Sequence, residues 1–251
     1  MSGLLMWNCR GAKKKAAGTY LRELVMKHNL SLIGLFETKT DNLTRRDVDR
    51  LVGRNWDFFH HPAVGTAGGI TVLWWTGVVD FVVHEDNSQW IVGSARISGL
   101  PDWMVAFVYV DTDPHVRRRI WEMRARGFAL KSPTIVGSKF NCMLRPEDKK
   151  GGLPLSYSLG AREMEDAVLA NDLKELPFVG ANHTWCNNQP RAARVFVRLD
   201  RMFLNSVGLA LVPLASIRHL IQLGLDHCPI LLQLGSLNSD RRSRWFRFED
   251  V

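Results

Sequence analysis

Pro133-Thr134-Ile135-Val136-Gly137-Ser138-Lys139-Phe140-Asn141 is a run of β-type residues that breaks off in polar ones. Isoleucine and valine ahead of a glycine read as a strand, and its period of two sends Lys139 and Asn141 out of one end on the same face. A polar pair at a strand end either begins a turn or belongs to a site, because binding and catalytic groups concentrate on loops held by a rigid scaffold. Arg145 to Tyr157, which contains Lys149-Lys150-Gly151-Gly152, is polar and reads as a long surface loop.

Toward the amino terminus, Val116 to Arg126 has helical spacing, with Ile120, Trp121 and Met123 apolar among arginines. Ahead of it the texture is strand: Asp57 to His60, Gly69 to Trp75, Val78 to His84, Trp90 to Ile97 and Met104 to Val110. Gly, Pro, Asp and Asn clusters part these runs, Thr76-Gly77 reads as a tight turn between two of them, and such a meander is expected to form a sheet. Arg45 to Val52 reads as a short helix entered through Thr44. Leu4 to Trp7 is a short buried strand ending at Asn8, and Tyr20, Leu21, Leu24, Val25 and His28 then fall at helical spacing. Ser31 to Phe36 is an apolar run of strand length ending in Glu37. Strand, crossover helix and strand place Asn8 and Glu37 at corresponding ends of neighbouring strands.

Toward the carboxyl terminus, Ala161 to Leu173 is an amphipathic helix, and His183-Thr184-Trp185 and Arg198 to Leu204 read as strands around an Asn- and Arg-rich loop. Val207 to Ala215 and Pro229 to Leu234 supply the last apolar strands. Runs of strands with a few helices predict two packed sheets with helices outside, in one domain over 1–236 followed by a charged tail over 237–251.

The composition, 46% hydrophobic and 23% charged, excludes a disordered or fibrous chain. No apolar run reaches the roughly 20 residues of a membrane span. The opening Met1 to Trp7 also lacks the basic segment and long apolar stretch of a secretory signal. An intracellular protein, nuclear or cytoplasmic, with no membrane partner is therefore expected. Cys9, Cys142, Cys186 and Cys228 are scattered without zinc-site spacing and read as reduced, buried residues. A net charge of +8 favours a polyanionic partner.

Taken in order, Trp7-Asn8-Cys9-Arg10-Gly11, Glu37-Thr38-Lys39, Gly68-Gly69-Ile70, Val108-Tyr109, Gly137 with Phe140-Asn141, Lys150-Gly151-Gly152, Thr184-Trp185, Arg198-Leu199-Asp200-Arg201 and Asp226-His227-Cys228-Pro229-Ile230 cover nearly the whole chain. Together they resemble the endonuclease/exonuclease/phosphatase superfamily, and most closely the endonuclease domain of plant LINE-type retrotransposons. The resemblance implies a four-layer α/β sandwich: two packed, mainly antiparallel β-sheets flanked by helices. It also implies Mg²⁺- or Mn²⁺-dependent phosphodiester hydrolysis, on DNA ahead of RNA. Glu37 would be the principal metal ligand, with Asn8 beside it and Asp226 near the metal or its waters. Tyr109 and Asn141 would hold the scissile phosphate, and His227, oriented by Asp200, would contact it. Apart from the resemblance, Trp185 is a candidate to stack on a base or else packs in the core, and Arg198 is a candidate nucleic-acid contact or else part of a solvated face.

One position departs from the family pattern Gly-Asp-Phe-Asn, where the aspartate assists proton transfer: here it is Lys139. Losing a general base costs about two to four orders of magnitude in rate, and an ammonium weakens metal binding nearby while still attracting phosphate. Three readings follow: a strongly weakened nuclease, a nucleic-acid-binding pseudonuclease, and a domesticated fragment with a protein-interaction or regulatory role.

Overall fold

In the computed structural model, which describes residues 3–65, 67–111, 113, 132–154, 159–223 and 225–234, the apolar runs pair into two large sheets. The strands are β1 Gly3–Asn8, β2 Leu30–Phe36, β3 Trp56–Val64, β4 Ala67–Trp75, β5 Val79–Asp86, β6 Trp90–Ile97, β7 Trp103–Tyr109 and β8 Thr134–Lys139. They continue as β9 Lys149–Lys150, β10 Leu173–Glu175, β11 Phe178–Val179, β12 Trp185–Cys186, β13 Phe196–Val197, β14 Asp200–Asn205, β15 Ser216–His219 and β16 Ile230–Gln233. The helices are α1 Lys15–His28, α2 Arg45–Val52, α3 Leu159–Ala170 and α4 Ser206–Leu211.

The first sheet has seven strands in the order β11-β15-β16-β1-β2-β4-β3, and the second has six in the order β10-β14-β8-β7-β6-β5. Most pairs are antiparallel, but β1 with β2, β7 with β8 and β11 with β15 run parallel. β12, β13 and β9 form a small third sheet. Leu5, Trp7, Ile33 and Leu35 pack under α1 and α2, while Val136 and Phe203 pack under Met164 of α3. These contacts give the expected four layers.

Two glycines let the sheets approach. A Cβ on Gly34 of β2 would sit 2.3 Å from the Phe107 ring of β7, and one on Gly137 of β8 would sit 2.3 Å from Met6 Sδ of β1. The glycine that interrupts the opening strand is thus a point of close approach between the layers.

Three expectations change. The meander is divided: β3 and β4 join the first sheet and β5 to β7 the second. Thr76-Gly77 is therefore the turn at which the chain crosses between sheets, closed by the Val78 amide donating to the Trp75 carbonyl. Val207 to Ala215 is no strand but holds most of α4, whose first turn is capped by Asn205 accepting from the Gly208 amide. Arg145 to Tyr157 is not all loop, since it includes a 3₁₀ turn at Pro146–Asp148 and β9. Residues 155–158, the expected helix Val116 to Arg126 and the tail 237–251 lie outside the described residues.

All four cysteines are buried and unbridged. Among the described residues no helix is long and apolar enough to cross a membrane.

Candidate active site

Four rows of inward side chains turn from apolar to polar at the same end of the sandwich. Leu4 and Met6 lead to Asn8 on β1, Val105 and Phe107 to Tyr109 on β7, Ile135 and Gly137 to Lys139 on β8, and Leu204 and Met202 to Asp200 on β14. Strand alternation alone carries each row to its polar end. Register then sets three of these ends side by side, with Tyr109 opposite Lys139 and Lys139 opposite Asp200.

Glu37 enters this polar floor from the first sheet. Asn8 pairs in register with Phe36, so the residue after β2 lies beside the end of β1. Glu37 has a left-handed φ of 50°, which swings the chain out of the strand. The turn is held by the Cys9 amide on the Phe36 carbonyl and the Ala12 amide on the Thr38 carbonyl. Arg10 and Asn141, in the adjacent loops, are also left-handed, at φ 44° and 52°. Non-glycine residues in this region are uncommon, and such strained positions gather at functional sites.

The Glu37 carboxylate is surrounded by donors. Asn8 Nδ2 donates to Oε1 at 2.8 Å, Lys139 Nζ donates to Oε1 at 2.8 Å and the Tyr109 hydroxyl donates to Oε1 at 3.3 Å. Arg10 Nε lies 3.3 Å from Oε2 and 3.0 Å from Asp226 Oδ2, bridging the two carboxylates. Trp185 Nε1 donates to the same Asp226 oxygen at 3.0 Å. Burial alone pushes the Glu37 carboxyl up, but the Lys139 charge and hydrogen bond, the Asn8 amide and Arg10 together hold it down to about 2. Burial, with the Glu37 carboxylate behind it, pushes the Tyr109 phenol upward, so that its hydroxyl stays a donor at neutral pH. The Lys139 ammonium also lies 5.5 Å from the centroid of the Tyr109 ring.

Beside this cluster His227 Nδ1 lies 2.9 Å from Asp200 Oδ2. The ring is buried, and its Nε2 has no hydrogen-bond partner among the described residues. Thr184 Oγ1 accepts from the Leu199 and Asp200 amides, fixing the backbone that carries the aspartate.

β8 ends at Lys139, and two residues on, Asn141 donates its Nδ2 to the Val110 carbonyl at 2.5 Å, not to Glu37. Arg198 is not in this cluster either: it pairs with Glu175 and Asp148, with its guanidinium 4.5 Å over the Phe178 ring. The residue that sequence reasoning assigned no role is Arg10, although it follows Asn8 in the first motif. An open cleft of about 380 Å³ adjoins it, lined by Arg10, Lys14, Trp185, Asn187 and Asp226 among others.

A divalent cation does not fit Glu37 as this site stands. Both oxygens of the carboxylate already face cations. Unit charges about 4 Å apart interact by about 4 kcal/mol at an effective dielectric of about 20, and a divalent ion would meet twice that from the Lys139 ammonium. No group of three or more His, Cys, Asp or Glu able to hold a metal ion occurs among the described residues.

No protein-family model matches the chain, and no curated protein matches it. Solved structures do. The endonuclease domain of TRAS1, a telomere-specific non-LTR retrotransposon, aligns with a TM-score of 0.71 at 14% identity, covering 94% of this chain and 100% of that one. The AP endonuclease LMAP from Leishmania major aligns at 0.67 with 15% identity, covering 92% and 86%. A 3' phosphatase from Neisseria, bound to a product DNA hairpin, aligns at 0.68 with 14% identity, covering 94% and 100%.

Proposed function

We propose that this chain, whose fold is that of the endonuclease/exonuclease/phosphatase superfamily, binds the phosphate backbone of nucleic acid and has lost most of the capacity to cut it. The observation that carries this reading is the buried contact of Lys139 with Glu37. Hydrolysis needs a group that takes a proton from the attacking water, and that acceptor contributes about two to four orders of magnitude. An ammonium has no lone pair to offer. Glu37, held at about 2 with three donors on Oε1, is a weak base at neutral pH.

Binding asks for less. The cleft beside the cluster sets the exposed Lys14 ammonium near the indole of Trp185, a pairing that suits a phosphate chain with bases stacked against an aromatic ring. The net charge of +8 and the fold shared with a protein bound to a DNA hairpin point the same way, with DNA ahead of RNA. Asp200 orients the His227 ring, whose buried Nε2 has no hydrogen-bond partner among the described residues.

The second reading is a slow hydrolase that uses added Mg²⁺ or Mn²⁺, and the retained His227–Asp200 pair favours it. Two assays on one preparation decide. Fluorescence anisotropy with labelled duplex and single-stranded DNA should give an affinity that falls as salt rises, while plasmid nicking with Mg²⁺ should match the EDTA control. Absence of binding at moderate salt refutes the proposal, and robust metal-dependent nicking replaces it with the second reading.

A further inference from the structure

We infer that Lys139 is a built-in cation standing in place of a metal ion, and that removing its charge turns the pocket into a divalent-cation site. This rests on reading the cluster as the altered centre of a nuclease fold. The contacting charges balance: the carboxylates of Glu37 and Asp226 are matched by the cations of Lys139 and Arg10. Lys139 is itself buried and reaches Glu37 from the opposite sheet, so its charge cannot be moved out to water without breaking the contact. A divalent ion entering such a neutral pocket would leave a buried excess of two positive charges.

Lys139→Asp reverses the balance. Three carboxylates would then face Arg10 alone, and the deficit of two charges is what one divalent ion supplies. Glu37, Asp226 and the new carboxylate, with the Asn8 amide oxygen, form the hard oxygen set that Mg²⁺ and Mn²⁺ take, either ion keeping several waters. Lys139→Met removes one charge without adding a ligand and should fall between.

Titration of free Mn²⁺, followed by its electron paramagnetic resonance signal, tests this without any turnover. Wild type should show no saturable site, Lys139→Asp should bind one ion at least about tenfold more tightly, and adding Glu37→Gln should abolish that gain. The thermal midpoint of Lys139→Asp should rise with Mg²⁺ while that of wild type stays fixed. A saturable Mn²⁺ site in wild type that Glu37→Gln removes overturns the inference. So does a folded Lys139→Asp protein that binds no ion. Should Lys139→Asp fail to fold even with Mn²⁺, Lys139→Met decides, and binding no tighter than wild type overturns the inference. Nucleic-acid affinity, measured on wild type in EDTA, is independent of these titrations, so either proposal can fail alone.

Discussion

Asp200 and Lys139 stand directly opposite each other on β14 and β8, yet each is paired elsewhere: Asp200 with His227 and Lys139 with Glu37. The cross-strand neighbours thus belong to two separate side-chain pairs, and the Lys139–Glu37 ion pair spans both sheets. The pair across the sheets also ties together two layers whose interior is otherwise largely apolar, with the Tyr109 hydroxyl as a second polar link to Glu37.

Its energetic signature is non-additivity. Removing one partner of a buried pair leaves an uncompensated charge and costs about 3 kcal/mol or more, whereas removing both is far milder. Lys139→Met should lower unfolding stability by about that amount, and Glu37→Gln added to it should restore most of the loss. Urea denaturation of the two single variants and the double checks this, and additive losses would show that the contact is not an energetic pair.

Acid should expose the same pair. The Glu37 carboxyl sits at about 2 in the folded chain against 4.5 when free, so the unfolded chain takes up its proton first as pH falls. The corresponding stabilisation, on the order of 3 kcal/mol, is complete above the free value and is lost as pH drops from there toward the folded value. Denaturation midpoints measured down that range should fall more steeply for wild type than for Glu37→Gln. Equal slopes would place the acid sensitivity elsewhere.

Much of this site was legible because alternation carries it. Asn8, Tyr109, Lys139 and Asp200 each continue an apolar row by one more step of two, and a period of two needs no tertiary information. Arg45 to Val52 was equally readable, since Thr44 and Asp47 form the capping box at its start. What escaped depends on contacts distant in sequence. A short apolar run such as Val207 to Ala215 reads alike as strand or buried helix, and the Asn205 cap decides for the helix. Arg10 follows Asn8 in the chain, but nothing local announces that it bridges Glu37 and Asp226. Asn141 lies two residues past the end of β8, so its bond to the Val110 carbonyl could not be read from strand alternation.

Nucleic-acid binding should depend on the cleft residues in separable ways. Lys14 is exposed and lines the cleft, so Lys14→Ala should weaken duplex and single-stranded binding alike and reduce the salt slope by about one. Trp185→Ala should cost about 1–3 kcal/mol with single strands, with Trp185→Phe recovering much of it and the slope unchanged. If the two variants behave identically, the ring acts only through its hydrogen bond to Asp226.

Arg198 provides the opposite case, a cation whose charge is spent inside the fold. With Arg201 it shares Asp148 and Glu175, and both guanidinium groups are buried. Arg198→Met keeps much of the side-chain volume over Phe178 but leaves the two carboxylates to Arg201 alone. It should therefore destabilise the fold by about 2 kcal/mol and leave the salt slope of DNA binding where it was. Chemical denaturation and anisotropy on the same preparation separate the two roles. A slope reduced by about one with stability intact would return Arg198 to the nucleic-acid surface, because only a cation that displaces counterions from phosphate moves that slope.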